Sequence, residues 1–136
     1  MSWKERFHDL SESRRKAMKE FKEKEKQRIA EFQKIDKIYR SQIERVCLGF
    51  IKAVSWPYFR TSVGSEARYF RLIGSSYGRE NEYGDSIEVT LHKSGIFIGG
   101  RHSGFDGSWE KKQEMPFDEF TEDRFGQILE EILKEK

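Results

Sequence analysis

A chain of 136 residues, 37% of them charged and with a net charge of +2, can bury one core but not its whole length. Its one cysteine, Cys47, excludes an intramolecular disulfide and a thiolate-rich metal centre. No stretch approaches the roughly 18–20 apolar residues that span a bilayer, and the run MSWKERFHDL lacks a signal peptide's apolar core, so a reducing, cytoplasmic setting is expected.

From Trp3 to Val54 the apolar residues Trp3, Phe7, Leu10, Met18, Phe21, Ile29, Phe32, Ile35, Tyr39, Ile43, Val46 and Phe50 recur mostly at steps of three and four. That spacing lays one stripe along a helix. Ser2 with Glu5 three residues on has the form of a capping box, and Pro57 disfavours helical geometry at Trp56, so the helix should end near Ser55. Ser11, Ser13 and Ser41 are places where it could break and recap. Arg14, Glu25 and Arg28 occupy stripe positions that a continuous seam would fill with apolar side chains, so the middle of the stripe is thin. The reading is an exposed basic helical arm over residues 1–28 and an α+β domain over 29–136, whose first helix runs 29–55. A helix of about 52 residues is roughly 78 Å long, against a radius of gyration of about 14 Å for a globule of this size. The arm must therefore project, fold back or pack on another chain.

Charge is distributed unevenly. Residues 1–55 hold 15 Lys/Arg against 9 Asp/Glu, and the remainder hold 11 against 15. Between Arg14 and Arg28 eight basic residues face three acids.

After a loop from Pro57 to Ser65, strands are expected at about 67–73, 86–92, 96–99 and 108–115. Ile87, Val89 and Leu91 alternate with Glu88, Thr90 and His92, which is the pattern of a half-buried strand. Lys93-Ser94-Gly95 reads as a hairpin turn, and the charge of 108–115 suits an edge strand. Two Gly- and Ser-rich loops, 74–85 and 99–107, separate these elements. The final helix, 121–135, has Thr121 as N-cap, Phe120 to staple onto Phe125, and one apolar face of Phe125, Ile128, Leu129, Ile132 and Leu133. The expected fold is α+β: a long N-terminal helix, an antiparallel meander of three or four strands, and a C-terminal amphipathic helix packed on the sheet.

Chemistry-bearing patterns are sparse. His8, His92 and His102 fall in no metal-ligand spacing, and GGRHSGFDGS lacks the form of a phosphate-binding loop that opens a helix. His102, Ser103 and Asp106 could be drawn as a hydrolytic set, yet three residues in one loop rarely hold the rigid geometry of a nucleophile and its base. Cys47 reads as a small buried hydrophobe. No catalytic residue, cofactor or metal site is therefore expected.

What remains is the arm. Trp3, Phe7, Leu10, Met18, Phe21, Ile29 and Phe32 are candidates for self-association or for docking a protein partner. Arg14, Arg15, Lys16, Lys19, Lys22, Lys26 and Arg28 are candidate nucleic-acid contacts, with Tyr69, Tyr77 and Tyr83 as stacking surfaces. Trp3, Phe7 and Leu10 backed by basic residues would also suit a membrane surface. The favoured reading is a non-enzymatic interaction protein forming a homo-oligomer or binding a partner through helix 1. A nucleic-acid-binding role, including inhibition of a nucleic-acid-handling complex, is the alternative. An enzyme with its site in the Gly-rich loops ranks last.

Overall fold

The computed structural model describes residues 2–74, 84–104 and 107–134. Helix α1, Trp3–Val54, runs unbroken for 52 residues, so the serines at 11, 13 and 41 do not recap it. Ser2 caps its start, with Glu5 N donating to Ser2 Oγ at 3.3 Å. At the other end Ser55 takes a left-handed conformation (φ 59°) and Trp56 N donates to Ile51 O at 2.9 Å, closing the last turn ahead of Pro57.

Among the described residues five antiparallel strands follow in a simple meander: β1 (Tyr58–Val63), β2 (Ala67–Ile73), β3 (Gly84–His92), β4 (Gly95–Gly104) and β5 (Gly107–Met115). The fold is α+β as expected, but the three or four expected strands are five. The extra one is β1, which lies in the expected loop 57–65. Of its inward residues only Phe59 is packed against the core, and Thr61 and Val63 point past the covered area, so the segment carries almost no burial pattern. The expected loop 99–107 is also mostly strand, because β4 runs on to Gly104 and β5 begins at Gly107. Of the expected loop 74–85, residues 75–83 lie outside the described residues, and Gly84 and Asp85 already belong to β3.

The register gives the sheet two unlike faces. Phe70 pairs with Val89 and Val89 with Ile98; Leu91 pairs with Ile96 and Ile96 with Met115. These residues are buried beneath α1 and the closing helix α2, Glu122–Lys134. Phe32, Ile43 and Cys47 of α1 and Phe125, Ile128, Leu129 and Ile132 of α2 complete one core. Each such side chain taken fully from water contributes about 1.5–3 kcal/mol before the cost of ordering it. A short 3-10 turn, Phe117–Glu119, brings Phe117 onto the Tyr39 ring at 4.6 Å, and Phe120 meets Tyr39 edge-on at 5.3 Å. Thr121 caps α2, with Arg124 N donating to its Oγ1 at 3.0 Å, and Phe120 lies 6.0 Å from Phe125 as the staple requires.

Three charged contacts fix where α1 enters the domain. Arg68 holds Asp36 through two hydrogen bonds of 2.6 and 3.0 Å, with both side chains largely covered. Lys93 reaches Glu31 at 3.8 Å, and Arg28 Nε lies 2.9 Å from Glu66 without hydrogen-bond alignment. Glu66 and Lys93 belong to the β1–β2 and β3–β4 turns, so α1 leaves the sheet over that end. Every residue from Ser2 to Lys24 is exposed. No helix among the described residues is long and apolar enough to cross a membrane.

Candidate functional site: the projecting arm

On the free part of α1 the spacing read from the sequence becomes a physical stripe. Trp3, Phe7, Leu10, Met18 and Phe21 are each between 56 and 62% exposed, far more than a large apolar side chain needs to be on a helix with a core to cover. Trp3 meets Phe7 edge to face at 5.7 Å, so the first turn already packs on itself. Phe7, Leu10, Arg14, Met18 and Lys22 line a continuous shallow trough along the same side. Ile29 is half-buried, and Phe32 lies in the chain's own core at 2% exposure. The unpartnered stripe therefore runs from Trp3 to Phe21, and the last two candidate association residues anchor the arm's root.

The basic candidates sit around that stripe. Among the described residues no carboxylate engages Arg14, Arg15, Lys16, Lys19, Lys22 or Lys26, and Arg28 turns to Glu66. Glu12, one turn before Lys16, lies 3.1 Å from His8 Nε2 instead. Tyr69 is exposed on the sheet face opposite the helices, while Tyr77 and Tyr83 lie outside the described residues.

That outer sheet face is the second surface of interest. Arg71, Glu88, Phe97, Gly99, Arg101 and Lys112 line a depression of about 600 Å³, whose floor is lowered by the missing side chain at Gly99. Its charges neutralise one another locally: Glu110 lies 3.8 Å from Arg101 and 3.9 Å from Lys112. A face so compensated offers no net field to steer a charged ligand.

One arrangement was not anticipated from the sequence. His102 Nδ1 and Asp85 Oδ1 are 2.5 Å apart on neighbouring strands, both mostly covered, and the imidazole stacks on Trp109 with ring centres 5.9 Å apart and planes at 13°. A carboxylate and an indole orient this ring and cover it, which makes a well-held side chain at the end of the core. The Ser103 side chain and Asp106, drawn with His102 as a hydrolytic set, lie outside the described residues. Among the described residues no three His, Cys, Asp or Glu side chains gather as metal ligands.

Cys47 is fully buried. Burial, and secondarily the nearby Glu44 carboxylate, push its thiol up from the ordinary 9.0 to about 12. The folded chain thus keeps this proton where the unfolded chain loses it, so the thiol's contribution to stability is full below pH 9.0 and falls above it. Native protein at neutral pH should leave a thiol-reactive reagent unconsumed until denaturant is added. Rapid labelling before unfolding would show that the helix-sheet interface opens freely.

No family model, no curated protein and no solved structure matches this chain.

Proposed function

We propose that this is a non-enzymatic interaction protein that associates through its projecting N-terminal helix, foremost with a second copy of itself. The observation that carries the reading is the row of five large apolar side chains, each more than half exposed, on a helix segment whose residues from Ser2 to Lys24 are all exposed. Helices lacking a face to bury are marginal in water, and a lone arm of this length is stabilised mainly by what it packs on. The rest of the molecule supplies a rigid root: the Asp36–Arg68 pair and the core side chains of α1 fix the direction in which the arm leaves.

Static light scattering over a range of concentrations tests this directly. The intact chain should show a mass above that of one copy, and Leu10→Glu should reduce it to one copy while leaving the α+β domain folded. An intact chain that stays monomeric at the highest attainable concentration would remove self-association.

A second reading draws on the unpaired basic side chains of the arm, from Arg14 to Lys26. In that reading the arm carries nucleic acid, with affinity falling steeply as salt rises. The two are separable: charge removal at Arg15 and Lys19 should abolish nucleic-acid binding and leave the mass unchanged, whereas Leu10→Glu should change the mass.

A further inference from the structure

We infer that two copies pair through their arms antiparallel, in a single register with residue i opposite residue 24 − i and the two-fold axis beside residue 12. This rests on the self-association reading and adds its geometry.

Within the free segment, residues 3, 7, 10, 14, 17 and 21 (Trp3, Phe7, Leu10, Arg14, Ala17 and Phe21) form a seam, with Met18 beside Ala17 at its edge. Their steps are four, three, four, three, four, a sequence that reads the same from either end. A second copy laid head to tail therefore meets every position of the first without slipping, as knobs-into-holes packing requires. The layers so formed are Trp3 with Phe21, Phe7 with Ala17, and Leu10 with Arg14, each occurring twice. Bulk meets small at the middle pair. Arg14 covers Leu10 with its methylene stem and carries its guanidinium outward past Ser11 and Ser13, whose small side chains flank the axis.

Flanking charges favour the same choice. Reversal brings Arg6 of one copy beside Glu20 of the other, twice by symmetry, and lays the Lys4 stem against Met18. A parallel pair would stack Arg14 on Arg14 and Ala17 on Ala17 and set Glu20 near Glu25, so like charge and mismatched size would recur along the seam.

The domain itself permits this overlap. Trp3 of the second copy comes opposite Phe21, short of Glu25, the first residue at which α1 begins to be covered by its own domain. The overlap thus uses the free stripe and stops before the β-turns. The two domains stand at opposite ends of the paired arms, with their sheets free.

Paired cysteines on the full-length chain test the register, since the buried Cys47 thiol stays silent. An equal mixture of Arg6→Cys and Glu20→Cys chains, treated with a short bis-maleimide, should give a linked dimer, and each variant alone should give far less. Arg6→Glu should raise the dimer Kd by up to about tenfold, the worth of two exposed ion pairs, and Arg6→Glu with Glu20→Arg should recover it. Efficient linking of Arg6→Cys chains to themselves, or a scattering mass of two copies without the mixed link, would overturn the register while keeping self-association. A monomeric mass with no link would overturn both.

Discussion

Replacing Gly100 with alanine should destabilise the domain by about 1–3 kcal/mol, toward the upper end of what overpacking a core costs. Gly100 sits on the covered face of β4, opposite Ile87 on one side and Lys111 on the other. A Cβ there would run into Ile132 Cγ2 of α2 and come within 3.2 Å of the Trp109 ring. Ile132 cannot turn aside cheaply, because a β-branched side chain in a helix has one strongly preferred χ1 and this one is 97% covered, at 3% exposure. Either α2 lifts from the sheet or the strand bends, and both surrender contacts of Ile128 and Leu129. Chemical denaturation of Gly100→Ala, Ile132→Ala and the double variant measures it. Ile132→Ala alone should lose about 2–5 kcal/mol by leaving a cavity. The double variant should lose less than the sum of the two, because the added methyl occupies space that the removed side chain vacates. Strict additivity would show that α2 does not bear on Gly100.

The same residue shows why part of the sheet escaped the sequence. GGRHSG reads as a loop because glycine is poor in strands and carries no alternation. In the fold, Gly100 is strand because its neighbour α2 leaves no room for a side chain, and that pressure comes from a segment about thirty residues later. β1 was missed for a different reason. It is an edge strand whose inward residues lie mostly beyond the helices, so Arg60, Thr61 and Ser62 meet water and no hydrophobic period develops. By contrast β3, both helix N-caps and the apolar face of α2 were readable, since each is decided by residues within one turn or one strand of each other.

The His102–Asp85 pair lies between these cases. Once Lys93 and Ser94 are taken as the turn, antiparallel pairing sets Gly95 opposite His92 and, seven residues along, His102 opposite Asp85. The hairpin alone thus sets this register, provided that both strands continue through the glycines. The arm's stripe was visible from the start. Its free length was not: Ile29 and Phe32 share the spacing of Phe21, and only the packed domain shows that they are covered while Phe21 is not.

Asp36→Ala should cost about 1–3 kcal/mol, because it strands the Arg68 guanidinium against the covered face of the sheet. Arg68 and Asp36 are only 17 and 16% exposed, and Asp36 takes both hydrogen bonds. The pair's attraction is offset by the desolvation of two charges, so its net worth is much smaller than the loss on cutting it in half. Asp36→Leu combined with Arg68→Met, which replaces both charges with apolar groups, should therefore lie within about 1 kcal/mol of the original, well above either single change. Denaturant melts of the three variants decide this; a double variant as weak as Asp36→Ala would mean that the ion pair itself holds helix to sheet. The location gives the measurement a second use. Asp36 stands just inside the point where α1 leaves the domain, beside the Glu31–Lys93 contact, so weakening it should fray the root of the arm before the core melts. Amide exchange in Asp36→Ala should rise first around Ile29 to Ile35 and leave β3 and α2 protected. If the arms pair as inferred, association should steady that root from outside, and the exchange difference should narrow as protein concentration rises.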